Sequence, residues 1–261
     1  ECAFPRSRRR ECCVSLSFDL ITQDTLRFAV PLWLAGLGEL VVERSGVINI
    51  GVEGMMLVGA LAGWIVTVAT GSPWLGLLAA AGAGLTLAAL FALVTIVFDA
   101  DQVVAGTALN LIAVGGTGVG YRLCTQEGFA SRDATFFEPM HPPFLPLAAL
   151  DQFGLFYAVL ILAAAVYVLV LRSRWGVELR ALGEHPAAAQ AAGIRVRARR
   201  TLCILFGGLS SGVAGSYLSI MFTHQFTENM TAGRGFLALA MVIFGRWNPV
   251  GLLLGGLFFG Y

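Results

Sequence analysis

Within fifteen residues of an otherwise apolar chain stand Glu39, Glu43, Arg44, Asn49 and Glu53, interleaved with Gly46, Gly51 and Gly54. Ionisable side chains at membrane depth are costly and face a cavity, a partner or water. Two arrangements fit. The glycines permit a broken helix whose freed backbone groups line a polar path; alternatively, the stretch is a turn whose polar residues meet water and lipid head groups. The spacing alone does not separate them.

Other residues carry other chemistries. Buried carboxylates at Glu39 and Glu53 would be the coupling sites of a secondary transporter driven by an ion gradient, although no inverted repeat is evident in the sequence. The "GLSS" string over 208–211, with His224, raises an intramembrane serine protease. That chemistry needs Ser and His within about 2.6–3.2 Å, whereas fourteen residues along one helix put Ser210 and His224 roughly 20 Å apart. Ser210 and Ser211 read more simply as small residues in a helix contact. His141, His185 and His224 are scattered, and Cys2, Cys12, Cys13, Cys124 and Cys203 show neither metal-ligand nor redox spacing, so no metal site and no disulfide framework is expected. All 17 basic residues are arginine. A phosphate-cradling nucleotide loop needs a lysine, so this chain does not bind ATP through such a loop.

The elements that hold these residues follow from composition. The chain is 57% hydrophobic and 13% charged, with mean hydropathy +0.78, which marks an integral membrane protein. Residues 54–98, 102–121, 152–171 and 201–227 contain no Asp, Glu, Lys or Arg. A hydrocarbon core of about 30 Å takes about 20 residues per helix, so the first run holds two spans, broken at "TGSPW" (70–74), and the others one each. A further helix is expected over 26–43. The run 235–245 is short and is followed by "GRWNP", which points to a half-helix or a tilted span. Small-residue pairs at Gly59/Gly63, Gly116/Gly120, Gly208/Gly212 and Gly251/Gly255 are expected at close helix contacts. The expectation is an all-α polytopic membrane protein with about seven to eight transmembrane or re-entrant helices. Residues 1–20 lack the apolar middle of a signal peptide and read as a disordered or non-native leader. The apolar run at 250–261 reads as a C-terminally incomplete chain.

Residues 172–200 hold seven arginines against Glu178 and Glu184, while 121–151 holds two arginines against four acids. Arginine excess marks the cytoplasmic side, so the first loop is expected inside and the second outside. Inside the basic loop, Pro186 at a first helical position and Gly193 as a stop predict a short helix over 186–192. The spacing alone allows an ordinary surface helix that holds its arginines near anionic lipid.

The string "LGELVVERSGVINIGVEGMMLVGALAG" resembles the signature of permease subunits of ABC importers in the simple-sugar, nucleoside and branched-chain amino acid group. It is most like the nucleoside and simple-sugar branch. The segment "ELRALGEHPAAAQAAGIRV" is similar to the family's cytoplasmic coupling segment, with Ala187 where the general pattern has Glu; "DQVVAGTALNLIA" and "GRGFLALAMVIFGRWNPVGLLLGGLFFG" agree further. The likeness covers 26–261. It implies a permease domain over 21–261, with a coupling loop at 172–200 in which Glu178, Arg180, Gly183, Pro186, Ala188, Ala189, Gly193 and Ile194 dock an ATPase. It also implies a translocation path touched by Glu39, Asn49, Glu53 and Asn110. The chain would be no enzyme and would bind no cofactor, ATP and Mg being used by the partner. Expected partners are a cytoplasmic ABC ATPase, a second permease subunit (hetero- or homodimer), an extracytoplasmic solute-binding protein and membrane lipid, but not nucleic acid. The location implied is a prokaryotic plasma membrane, and the solute is a nucleoside or simple sugar.

Overall fold

The computed structural model describes the backbone of residues 6–126, 137 and 154–261, with side chains from residue 21 onward. Among these residues there are ten α-helices and no strand. They are α1 (Arg6–Arg44), α2 (Val52–Thr70), α3 (Pro73–Ala92), α4 (Gln102–Gln126), α5 (Gly154–Tyr167), α6 (Arg174–Glu184), α7 (Pro186–Ala191), α8 (Val196–Ser216), α9 (Arg234–Phe244) and α10 (Pro249–Gly260). Six helical rods are long and apolar enough to cross a membrane: Ile21–Arg44, Val52–Thr70, Pro73–Val97, Gln102–Gln126, Gly154–Arg172 and Val196–Phe222. With the two shorter apolar helices α9 and α10, this is the polytopic all-α protein expected.

The boundaries have local causes. Gly71 ends α2 in the left-handed conformation (φ +68°), and Pro73 opens α3 at its first turn, where a missing N–H costs nothing. The rods containing α3, α5 and α8 each finish in a wider π turn, over Leu93–Val97, Val168–Arg172 and Tyr217–Phe222. One end differs from the sequence reading. The first helix does not begin near residue 26: its backbone is continuous from Arg6, so the described part of the stretch read as a disordered or non-native leader, 6–20, is helical and holds neither Gly nor Pro to stop it. The loop read as external lies mostly outside the described residues, as do His141 and Cys2; Cys12 and Cys13 are described in their backbone only.

Most of the spanning parts of α1, α2 and α8 is buried, whereas α3, α4 and α5 bury a third or less and turn apolar side chains such as Leu78, Leu111, Ile112 and Ile161 outward. In lipid, hydrophobicity does not drive helices together, so close packing of small residues must. Gly212 of α8 shows how tight this is: a Cβ there would lie 2.3 Å from the Ala80 carbonyl oxygen of α3. Gly59 and Gly208 are equally enclosed, which bears out two of the expected small-residue contacts, while Gly116 has nothing within 4 Å of such an atom. Helix α10 lies along α1, where Trp33 donates its indole N–H to the Leu253 carbonyl at 3.0 Å.

Candidate functional site

The polar stretch between α1 and α2 is a connection folded back into the protein. Helix α1 stops at Arg44, Gly46 takes φ +81°, and Gly51 precedes α2. Residues from outside the turn hold it. Glu39, fully buried one turn from the end of α1, accepts the Asn49 backbone N–H at 2.9 Å. Asn49, also fully buried, accepts the Gly51 N–H at 3.1 Å through Oδ1. From α4, Asn110 accepts the Gly54 N–H at 2.8 Å and donates to the Ile50 carbonyl at 2.9 Å. Orphan backbone groups at a broken helix must be paired, and these amides and carboxylates do it.

Glu53, in the first turn of α2, reaches further. Its Oε1 accepts the Gly233 N–H at 2.7 Å and its Oε2 accepts the Gly235 N–H at 2.6 Å. These amides open α9, so Glu53 is a carboxylate cap on the positive end of a distant helix. The backbones touch as well, since a Cβ on Gly235 would lie 2.6 Å from the Glu53 nitrogen. The four residues expected at a path thus converge on one joint, each no more than 9% exposed. One polar atom stays open: Glu39 Oε2 is buried without a hydrogen-bond partner.

The other end of α9 meets the same stretch. After Gly245, Arg246 and Trp247 both sit at φ +53°, and Asn248 caps α10 by accepting the Val250 N–H at 3.0 Å. The Arg44 guanidinium donates twice to the Trp247 carbonyl, at 3.1 and 2.7 Å, and the Trp247 indole N–H donates to Glu43. Sequence reading did not assign Glu43, Arg44 or Trp247 a role; their proximity is a long-range fact without a local signature.

The second set of expected residues forms α6 and α7. Helix α7 begins with Pro186 and ends as the sequence requires: Gly193 is left-handed at φ +86°, its N–H donates to the Gln190 carbonyl at 3.0 Å, and the Ile194 N–H donates to the Ala189 carbonyl at 3.0 Å. This is the paired-bond glycine stop of an α-helix. Ala189 is the one buried residue of α7, and Pro186, Ala188 and Gly193 are exposed, so the helix stands proud of the bundle. The remaining residues anchor it. Glu178 forms a half-exposed charge pair with Arg199 of α8 at 2.8 Å, and the Arg199 guanidinium lies 4.7 Å over the Trp175 ring. Arg180 bonds the Gly176 carbonyl at 3.3 Å. A Cβ on Gly183 would lie 2.7 Å from the Arg44 carbonyl oxygen, so glycine is needed where α6 meets the end of α1.

Between α7 and the turn preceding α4 lies a cleft of about 680 Å³, with Asp99, Gln102, Gln190 and Arg197 on its walls. An exposed ion pair joins its sides, Arg197 to Asp99 at 3.3 Å, and Gln102 accepts the Ile48 N–H at 2.9 Å. At the opposite end of α4, Arg122 pairs with Glu228 at 2.9 Å; the guanidinium's hydrogen bond holds the Glu228 carboxyl below the usual carboxylate range.

No group of three or more His, Cys, Asp or Glu able to hold a metal ion occurs among the described residues. Ser210 and Ser211 both donate to the Gly207 carbonyl, at 2.9 and 2.7 Å, deep in α8. His224 lies beyond the π turn that ends the same rod, while both hydroxyls are directed at the Gly207 carbonyl.

Six rods long and apolar enough to cross a membrane, a buried carboxylate that caps one half-length helix, and one short helix displayed at an end make up a polytopic membrane protein. The chain belongs to the family described as branched-chain amino acid transport system / permease component, whose model matches residues 21–261. It is therefore a multi-pass membrane permease of an ABC importer, which sets aside the ion-gradient reading. It is 38% identical over 246 residues to a putative glucose ABC transporter permease protein of Haloferax volcanii, covering 90% of this chain and 73% of the relative. It is 37% identical over 257 residues to a guanosine ABC transporter permease protein of Bacillus subtilis, covering 93% and 80%. To a nucleoside ABC transporter permease protein of Lactococcus lactis subsp. cremoris it is 32% identical over 257 residues, covering 94% and 81%. No solved structure matches.

Proposed function

We propose that the chain forms half of the membrane path of an importer for a nucleoside or a simple sugar, paired with a second permease or a copy of itself. A separate cytoplasmic ATPase binds α7 and supplies the energy; an extracytoplasmic binding protein delivers the solute. The observation that carries the reading is α7 itself, a glycine-stopped helix almost wholly exposed beside α6, which Glu178 ties to α8. A helix that buries one alanine and exposes the rest gains little from its own fold and is shaped for a partner's groove. The lack of lysine agrees, since nucleotide and Mg belong to the partner. The relatives named for glucose, guanosine and nucleosides support the solute class.

Glu39, Asn49, Glu53 and Asn110 shape the path from behind, because each is buried and bonded to backbone. Residues 172–200 face the cytoplasm in this arrangement. The test is uptake of radiolabelled guanosine and glucose into vesicles holding the assembled transporter. Uptake of one of them that requires ATP and the ATPase subunit is expected; uptake by this polypeptide without any ATPase would contradict the proposal.

A further inference from the structure

Residues 43–53 form a joint. Helix α9 is 11 residues long, about 16 Å at 1.5 Å per residue, roughly half of a 30 Å hydrocarbon core. Both its ends are held by this one stretch: Glu53 takes the amides at its start, and Glu43 and Arg44 take the indole and carbonyl of Trp247 just past its end.

The same stretch is fastened to the α6–α7 arm. Arg200, at the start of α8, donates from Nε to the Ser45 carbonyl at 3.0 Å and from Nη2 to the Leu182 carbonyl at 3.3 Å, bridging the turn to the end of α6. Gly183 and Gly46 lie against each other, with a Cβ on Gly46 only 3.0 Å from the Gly183 Cα. The route from α7 to α9 is therefore short and wholly polar: α6, Leu182–Arg200–Ser45, Arg44–Trp247.

Trp247 and Arg246 also carry strain. Two successive residues with Cβ atoms hold the left-handed conformation, which ordinary L-residues disfavour, and such conformations persist only where surroundings over-determine them. Here the turn's own backbone bonds, from the Arg246 N–H to the Ile243 carbonyl and from the Trp247 N–H to the Val242 carbonyl, each at 3.0 Å, act together with the Glu43 and Arg44 bonds. Beside them opens a cleft of about 460 Å³, walled by Arg180, Glu184 and Arg246.

We infer that Glu43 and Arg44 form a releasable latch on the strained Arg246–Trp247 turn, through which movement of the α6–α7 arm repositions the half-length helix α9 during transport. This rests on α7 being the ATPase-binding helix. Breaking the latch relaxes the turn and lets α9 pivot about its Glu53-capped end; making it returns α9 to the position in this structure. Glu43, Arg44 and Trp247 are thus positioning residues, acting on α9 without touching solute.

The test uses the intact transporter in sealed lipid vesicles, read by amide hydrogen exchange of α9 and by ATP hydrolysed per labelled guanosine or glucose taken up. Trp247→Phe, which keeps a ring and loses the N–H, and Glu43→Leu, which loses the acceptor, should raise exchange in the last turn of α9 at least tenfold and raise the ATP-to-solute ratio several-fold. Glu43→Gln keeps an acceptor oxygen and should match the parent in both. Should the first two fail to accumulate, Arg44→Lys, which keeps the charge and loses the two-pronged bond, is expected to shift both readings the same way by a smaller factor. Exchange in α9 within twofold of the parent in the weakened variants, Glu43→Gln behaving like Glu43→Leu, or an unchanged ATP-to-solute ratio despite faster exchange would each overturn the latch. A parent complex whose uptake ignores ATP would instead overturn the importer reading, while the exchange result would still decide whether the latch holds α9.

Discussion

Glu53 and Gly235 lie 182 residues apart in sequence, yet the carboxylate of one accepts the backbone N–H of the other at 2.6 Å. With the neighbouring Gly233 amide, this makes a side chain of α2 the cap of α9. A helix that short, in a setting where water cannot pair its first amides, needs such a cap. Why an apolar chain interrupts itself with "ERSGVINIGVE" thus has a physical answer: the stretch ties down itself, α4 and both ends of α9.

Removing the cap should cost accordingly. In Glu53→Ala both amides lose their acceptor, at about 1–3 kcal/mol for each buried orphan. Membrane abundance and the midpoint of thermal inactivation should fall clearly in this variant, and less in Glu53→Gln, which retains one acceptor oxygen. Equal midpoints for parent and Glu53→Ala would remove the cap from the account.

Two glycines on α3 give a paired test of packing. A Cβ on Gly84 would lie 2.2 Å from the Gly208 carbonyl oxygen, whereas nothing lies within 4 Å of one on Gly82. Gly84→Ala should lose about 1–3 kcal/mol through forced separation of α3 from α8. Gly82→Ala should hold or gain up to about 1 kcal/mol from better helix propensity. Thermal inactivation of the two variants side by side reads the difference, and indistinguishable midpoints would refute the α3–α8 contact.

Orientation follows from arginine excess in the 172–200 segment. In a background without the native cysteines, a membrane-impermeant thiol reagent applied to intact cells should label Gln126→Cys, at the exposed end of α4. It should reach Gln190→Cys, exposed on α7, only after permeabilisation. The reverse pattern would invert the topology and remove α7 from the cytoplasm.

Much of the bundle was legible because its signals are local. Charge-free runs marked the spans; Gly71 and Pro73 marked the break between α2 and α3; Pro186 and Gly193 marked both ends of α7. The site was legible in its residues and not in their partners. Glu39, Asn49, Glu53 and Asn110 stood out as polar groups in apolar surroundings, yet nothing near Glu53 in sequence announces the amides of Gly233 and Gly235. Similarly, "GRWNP" reads as a break, but nothing in it announces that Trp247 is bonded to Glu43 and Arg44, some two hundred residues away. The π turns were also out of reach, because no residue type within Leu93–Val97, Val168–Arg172 or Tyr217–Phe222 marks them.

The central claim is that α7 transmits work from an ATPase, and Gly193 tests it most directly. A side chain there meets open space, so substitution clashes with nothing, while φ +86° makes any β-branched residue costly to hold in the helix stop. The measurement is Gly193→Val in the assembled transporter, with membrane level, retained ATPase and solute uptake taken from the same preparation. The account predicts a normal membrane level with most of the bound ATPase and most of the uptake lost. A variant at normal level that holds the ATPase and transports like the parent would contradict it, leaving α7 an ordinary surface helix.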